Sequence, residues 1–432
     1  MQSVWSDTAK RQPNPPLAGD IKTDVLIIGG GMCGILTAHM LQESGAECVV
    51  VEAKTAGDGT TKNTTAKITA AHGLIYADLI ERVGAEKARQ YYDANTAAIC
   101  RYRDLSKRFP CDFEEQISYV YSTDNRQKLE REAQACHRLK IDAKIEENLQ
   151  LPMPVAGAVS MHGQAQFHPL KLLYALAEGL NLYENTFVHK IVGLTAHTSK
   201  GKITAKHIVL ATHYPMINIR GLYFVKLYQN RSYVTAVEGV PLLNGMYRDE
   251  QEAGYSFRSY GDLLLVGGGA HRTGKKAAGH AGLQNFVRQA YPGCAEKYSW
   301  AAQDCMSLDQ IPYVGRQRAG SANLYVAGGF NKWGMTGAMA AAKILTELII
   351  SGKSKWEALY TPQRSMLSRQ LFVNLGAAAA GLLSIGGPRC SHMGCKLHRN
   401  RAENSWDCAC HGSRFDQDGN VMDNPAKKEI RP

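Results

Sequence analysis

The chain has 432 residues, of which 44% are hydrophobic, and a formal net charge of +11 at neutral pH. That length supports a large core and two or three domains. Its lysines and arginines are scattered, with no long basic block or nucleic-acid module, so the charge argues against a nucleic-acid partner and reads as an ordinary solvated surface, with an acidic redox partner as the alternative.

In chain order, residues 1–20 are polar and proline-containing, without the apolar stretch of a secretion signal. Seven of the eleven cysteines lie scattered before residue 306, a pattern of reduced thiols that predicts a cytoplasmic protein. Residues 24–52, DVLIIGGGMCGILTAHMLQESGAECVVVE, predict a buried strand, a glycine turn at Gly29, Gly31 and Gly34, an apolar-periodic helix and a second strand ending at Glu52. The glycines allow backbone N–H groups to approach a pyrophosphate at the helix N-terminus, and Glu52 is placed to accept from an adenosine ribose. This unit alone leaves FAD and NAD open.

Three later segments favour FAD. The loop GDGTTKNTTAKIT brings Thr60, Thr61 and Thr65 toward a pyrophosphate and ribityl chain. FVHKI, with Val188, and KHIVLATHYP predict strands returning to the same sheet, and NLYVAGGFNKWGMTGAMAAAKILTEL predicts a strand, a glycine-rich turn and a helix.

From residue 20 to 350 these segments together resemble the glycine oxidase/D-amino-acid oxidase (DAO) superfamily of FAD enzymes. The resemblance implies an α/β Rossmann-like, glutathione-reductase-type FAD domain built from residues 20–85, 155–215 and 300–350. It also implies an inserted α+β substrate domain from 86–154 and 216–299. The turn holding Gly328, Gly329, Gly334, Met335 and Thr336 would lie against the flavin ring. The helix it opens would point its positive end at the ring's pyrimidine edge. Lys332 and Trp333, inside that turn, are candidate catalytic residues. An arginine holds the substrate carboxylate in amino-acid oxidases, which makes Arg258 and Arg272 candidates, with Tyr233, Tyr255 and His271 to orient an amine. Cys305 reads first as a buried small side chain; the alternative is covalent flavin attachment, since it stands where sarcosine-oxidase-like relatives carry the flavin.

LFVNLGAAAAGLLSIGG (371–387) is apolar but too short and glycine-rich to span a bilayer, so no stable membrane insertion is expected; it reads as a packed helix followed by a hinge. It falls within a linker assigned to 351–388.

The tail, 389–432, carries CSHMGC and CACHGS. Cys390 and His392 on one loop, with Cys408 and His411 on another, supply two thiolates and two imidazoles. This set suits a [2Fe–2S] cluster, while zinc accepts the same ligand types. The string resembles Rieske iron–sulfur proteins. That resemblance implies one iron on Cys390 and Cys408, the other on His392 and His411, and a Cys395–Cys410 disulfide in a small all-β lobe. Ser413 would offer its hydroxyl to a sulfur. Phe415 replaces a tyrosine of high-potential members, which implies a lower potential. The stretch before Cys390 is too short for the strands that normally precede the first loop, so the truncated lobe should dock on the flavoprotein.

An oxidase-like unit joined to a Rieske tail resembles a bacterial family of FAD-dependent oxidoreductases. The implied activity is dehydrogenation of a small amine or amino acid by hydride transfer to FAD. Electrons would then pass singly to the [2Fe–2S] cluster and on to a carrier protein or quinone. Reverse flow from the cluster to the flavin, and a non-catalytic redox sensor, are the alternatives.

Overall fold

The computed structural model describes residues 2–321 and 323–431. Val25, Leu26, Ile27 and Ile28 form a continuous apolar run because their strand, Ile21–Ile28, is covered on both faces. It pairs in parallel with Cys48–Val51 on one side and Lys202–Leu210 on the other. Asn181–Tyr183 extends the first side; Leu324–Gly328 and then Tyr313–Arg316 extend the second. The hairpin Val188–Val192/Thr195–Thr198 joins through Lys202–Leu210 and completes eight strands. Helices Met32–Glu43 and Gly334–Ser351 pack against one another over this sheet.

Nine strands make a second, mixed sheet whose long members are Glu114–Ser122, Gly157–Gln166, Leu227–Glu238, Leu263–Arg272 and Ala295–Ser307. Gly157–Gln166 and part of Ala295–Ser307 come from segments that the sequence division gave to the nucleotide unit. Apolar alternation marks a strand but not the sheet it joins, and here the pairings with Glu114–Ser122 and Leu227–Glu238 decide.

The third unit is a four-stranded antiparallel sheet, Leu397–Asn400, Ser405–Cys408, Arg414–Phe415 and Val421–Asp423. It docks on the second sheet. Glu403, almost wholly buried, receives the Arg231 guanidinium (Nε to Oε1 2.6 Å), Arg414 Nη2 at 3.0 Å and the Tyr233 hydroxyl at 3.1 Å. Arg414 also holds Asp407 at 3.0 Å and Asp423 at 3.1 Å. Arg231 and Tyr233 belong to the flavoprotein, so the expected docking is built around a buried ionic cluster.

Helix Arg369–Leu383 forms where the apolar linker predicts one, capped by the Ser368 hydroxyl accepting from Leu371 N–H. It is not packed as expected. Its only buried residue is Asn374, held by Arg272 and the Val225 carbonyl, while Phe372, Leu375, Leu382 and Leu383 face outward.

Candidate flavin and iron–sulfur sites

The turn after the first strand is shaped by close backbone contact. Gly29 sits at φ +115°, and a Cβ there would collide with the Ala211 carbonyl; one on Gly34 would collide with the Gly29 carbonyl. Only glycine permits this approach of helix to strand. The half-buried Glu52 accepts from Gly30 N–H at 2.7 Å and Lys54 N–H at 2.9 Å, and desolvation pushes its carboxyl above the usual range. Thr61 accepts from Met32 N–H at 3.1 Å, fixing the helix start beside Gly31. This Cβ-free cradle with an acid at its rim fits an FAD pyrophosphate and ribose.

A cavity opens between the threonine loop and the glycine-rich turn. Thr60 and Thr65 line it from one side, Lys332, Trp333 and Met335 from the other, and Asp304 from the second sheet. Asn331 and Lys332 are both left-handed (φ +54° and +71°). The Asn331 side chain holds this bend by accepting from Ser307 N–H at 2.8 Å and donating to the Gly329 carbonyl at 2.7 Å. Trp333 stacks on His72 with centroids 4.8 Å apart and planes at 11°. It supplies no side-chain cap to helix Gly334–Ser351, whose positive end therefore meets the cavity beside Met335. Thr336 is turned away, donating to the Thr69 carbonyl at 3.0 Å. Val188 lies in the core under the hairpin, not on the cavity.

Of the cavity's charges, the sequence marks Lys332 but not Lys67, Arg248 or Asp304. Lys332 Nζ is buried without a hydrogen-bond partner among the described residues, and burial lowers its pKa to about 8. Burial likewise lowers Lys67 and raises Asp304. Arg248 lines the same wall, its guanidinium bonded to the Gly254, Gln251 and Glu252 carbonyls. No motif marks Lys67, Arg248 or Asp304; the second sheet and the threonine loop bring them to Lys332.

Several expected substrate residues do other work. Arg258 points its guanidinium at the Thr65 and Ala66 carbonyls (2.8 and 3.0 Å) under the Trp5 ring, so it clamps the threonine loop rather than reaching the cavity. Arg272 donates to the Ala409 and Cys410 carbonyls, both at 2.8 Å, and so anchors the tail rather than a carboxylate. Tyr255 stacks on Phe286, and His271 stacks on Tyr233. Cys305 is also misplaced for flavin attachment. Its neighbour Asp304 lines the cavity, and strand alternation turns Cys305 to the opposite face, into the core with Tyr214 and Tyr313. Burial pushes its thiol up to about 12, away from nucleophilic reactivity.

At the tail, two loops fold by the same rule. Cys390 N–H donates to the Cys395 carbonyl and Gly394 N–H to the Cys390 carbonyl, all at 2.9 Å. Cys408 N–H to Ser413 and Gly412 N–H to Cys408 repeat the pattern at the same distance. Gly394 and Gly412 are left-handed at the matching place (φ +78° and +86°), so each loop presents its cysteine and histidine inward. The His392 and His411 rings stand 4.8 Å apart at 87°, and both Nδ1 atoms are buried with no partner among the described residues. Burial, then the neighbouring His411, lowers His392 to about 4 and leaves the neutral imidazole a metal requires. The Cys408 thiol is held well below its usual value by hydrogen bonds, first from Cys390. Two unclaimed inward nitrogens beside two sulfurs fit a [2Fe–2S] cluster.

Cys395 and Cys410 are free thiols, not the bridge the resemblance implied; their sulfurs and that of Cys408 lie within 4.8 Å of one another. Ser413 Oγ accepts from Ala426 N–H at 3.1 Å and also bonds Cys390, and Phe415 is fully buried.

Polar side chains of the flavoprotein reach both loops. Asn218 Nδ2 lies 2.8 Å from His392 Nε2. Gln229 Nε2 donates to the His411 carbonyl at 3.0 Å, and Gln303 Nε2 to the Gly412 carbonyl at 2.8 Å. His213 touches Gln229 Oε1 at 3.2 Å on one side and Thr60 Oγ1 at 3.3 Å on the other. A continuous hydrogen-bonded file thus runs from the threonine loop of the flavin cradle to a cluster-ligand backbone.

Comparison with known proteins agrees with both halves. Residues 24–348 match the FAD dependent oxidoreductase family (DAO), and residues 363–432 match the Rieske [2Fe-2S] domain, a span that takes in the linker helix. YhfW of Bacillus subtilis (strain 168), described by name as a Rieske 2Fe-2S iron-sulfur protein, is 31% identical, covering 100% of this chain and 97% of its own. Glycine oxidase from Geobacillus kaustophilus superposes with a TM-score of 0.67 at 18% identity over 80% of this chain and 99% of that one. L-proline dehydrogenase from P. horikoshii superposes at 0.65 and 18%, over 81% and 98%. The chain therefore belongs to the DAO family of FAD-dependent oxidoreductases and carries a C-terminal Rieske [2Fe-2S] domain.

Proposed function

We propose that this oxidoreductase is a dehydrogenase that oxidises the C–N bond of a small amine or amino acid and delivers the electrons one at a time to its own cluster and then to an external carrier. The observation that carries this reading is the file Thr60–His213–Gln229–His411, which runs by hydrogen bonds from the threonine loop to the backbone of a candidate cluster ligand. FAD, when bound, supplies the hydride acceptor, and the cluster a one-electron acceptor.

The protein's own groups set the substrate. Lys332 Nζ, buried without a hydrogen-bond partner and 3.9 Å from Glu252 Oε1, holds a carboxylate, and Asp304 across the cavity holds the amine proton. Trp333, pinned by His72, forms the wall that excludes water. Gln229, Gln303 and Arg272 fix the tail so that the inter-site separation does not vary from turnover to turnover. The glycine oxidase and proline dehydrogenase likenesses support an amino-acid-type substrate.

The test is anaerobic: holoprotein is mixed with a panel of amines and amino acids while flavin absorbance and the cluster EPR signal are followed. Bleaching followed by a reduced-cluster signal is expected. Bleaching with a cluster that stays oxidised overturns the electron route, and a panel that bleaches nothing overturns the substrate class.

A further inference from the structure

Helix Arg369–Leu383 is built inside out. Of its fifteen residues only the polar Asn374 is buried (4% exposed), while Phe372 is 63% exposed and Leu383 80%. The apolar surface runs on at both ends, through Leu367 (79%) and Ile385 (90%). A soluble protein's surface helix places these residues the other way round. A face of this kind marks a contact with something apolar.

The charge around it says what that is. Between Glu357 and Glu403 the chain has no acidic residue and six cations: Arg364, which is paired with Asp309, and Arg369, Arg389, Lys396, Arg399 and Arg401. Two of them are fixed beside the apolar tip. Arg389 donates to the Leu382 carbonyl at 3.2 Å and to Gly394 at 3.1 Å, and Lys396 Nζ donates to the Ile385 carbonyl at 3.0 Å. Arg369 lies exposed at the other end, one turn from Phe372 and Val373.

We infer that this helix and its flanking loop are an interfacial membrane anchor that lies in the headgroup layer of an anionic bilayer. Fifteen residues span only about 22 Å, short of the ~30 Å hydrocarbon core, so the helix rests in the surface and does not cross it. Phe372, Leu375, Leu382 and Leu383 enter the acyl boundary and the pinned cations meet lipid phosphates. Cys410 Sγ contacts the Ala377 carbonyl at 3.5 Å, and a Cβ on Gly381 would collide with that sulfur, so the bound helix carries the cluster loops to the membrane surface.

Full-length protein loaded with FAD and cluster is floated with vesicles of phosphatidylcholine alone or of equimolar phosphatidylcholine and phosphatidylglycerol. Flotation with the anionic vesicles, weakening as salt rises, is expected. Phe372→Ser/Leu383→Ser and, separately, Arg369→Glu should each cut partition by roughly tenfold or more while the visible circular dichroism of the cluster is unchanged. Absence of flotation with the anionic vesicles overturns the anchor, as does equal flotation with neutral ones. A dimer in light scattering that dissociates in the serine variant, without vesicle binding, assigns the face to a second copy and also overturns it.

Discussion

Replacing Glu403 with Gln tests the docking of the tail most directly. Burial alone would raise the Glu403 carboxyl, but the hydrogen bonds and charge of Arg231, with Arg414 and Tyr233 behind them, outweigh it and hold the group at about 2 against an ordinary 4.5. At about 1.4 kcal/mol per pH unit, that difference corresponds to about 3 kcal/mol of stabilisation at neutral pH. Loss of one partner from a buried ionic cluster costs ~3–5 kcal/mol by the same reasoning, because Arg231 and Arg414 remain buried without their anion. Urea denaturation of the holoprotein, followed through cluster absorbance and flavin fluorescence separately, should show the cluster transition destabilised by about 3 kcal/mol and the flavin transition moved less. The pH dependence has a definite sign. A depressed carboxyl contributes fully above 4.5, so the wild-type advantage over Glu403→Gln should shrink as pH falls from 4.5 toward 2. A loss under ~1 kcal/mol at neutral pH, or an advantage independent of pH in that window, refutes the ionic-cluster account of docking.

Lys332→Met should raise KM for a carboxylate substrate by roughly 10- to 100-fold, the worth of one charged hydrogen bond. Because Lys332 titrates at about 8, kcat/KM in the wild type should fall as pH rises through that value, and this limb should vanish in the variant. Gln229→Leu breaks the file between the sites: stopped-flow should show unchanged flavin bleaching and cluster reduction slowed on the order of tenfold, equivalent to about 1.4 kcal/mol of barrier. Cys408→Ser should yield protein with full flavin but without bound iron or a cluster EPR signal, measured by metal analysis.

Local signals carried much of this protein. The glycines of the first turn and Glu52 were legible because each answers to a rule of backbone approach that operates within thirty residues. Cys390, His392, Cys408 and His411 were legible because each pair sits on one short loop closed by its own hydrogen bonds. Arg258 and Arg272 were not. An arginine near an expected cavity has the same appearance in a sequence whether it faces a ligand, a loop carbonyl or another domain. Cys305 is the buried small side chain that the sequence favours: its distance from the glycine-rich turn fitted flavin attachment, but the face of its strand does not.

The linker helix shows the same division. Its composition determined that a short apolar helix would form, yet not that Asn374 would be the residue turned inward, since that depends on Arg272 and the Val225 carbonyl waiting on another unit. Sequence by itself determined the two cofactor sites, because their chemistry is held in contiguous loops. Only the tertiary structure decided that Asp304 and Arg248 join Lys332 around one cavity, the Glu403 seat of the tail and the Thr60–Gln229 file. Each of these is assembled from residues far apart in the chain, brought together by sheet pairing and by the requirement that buried charges and amides find partners.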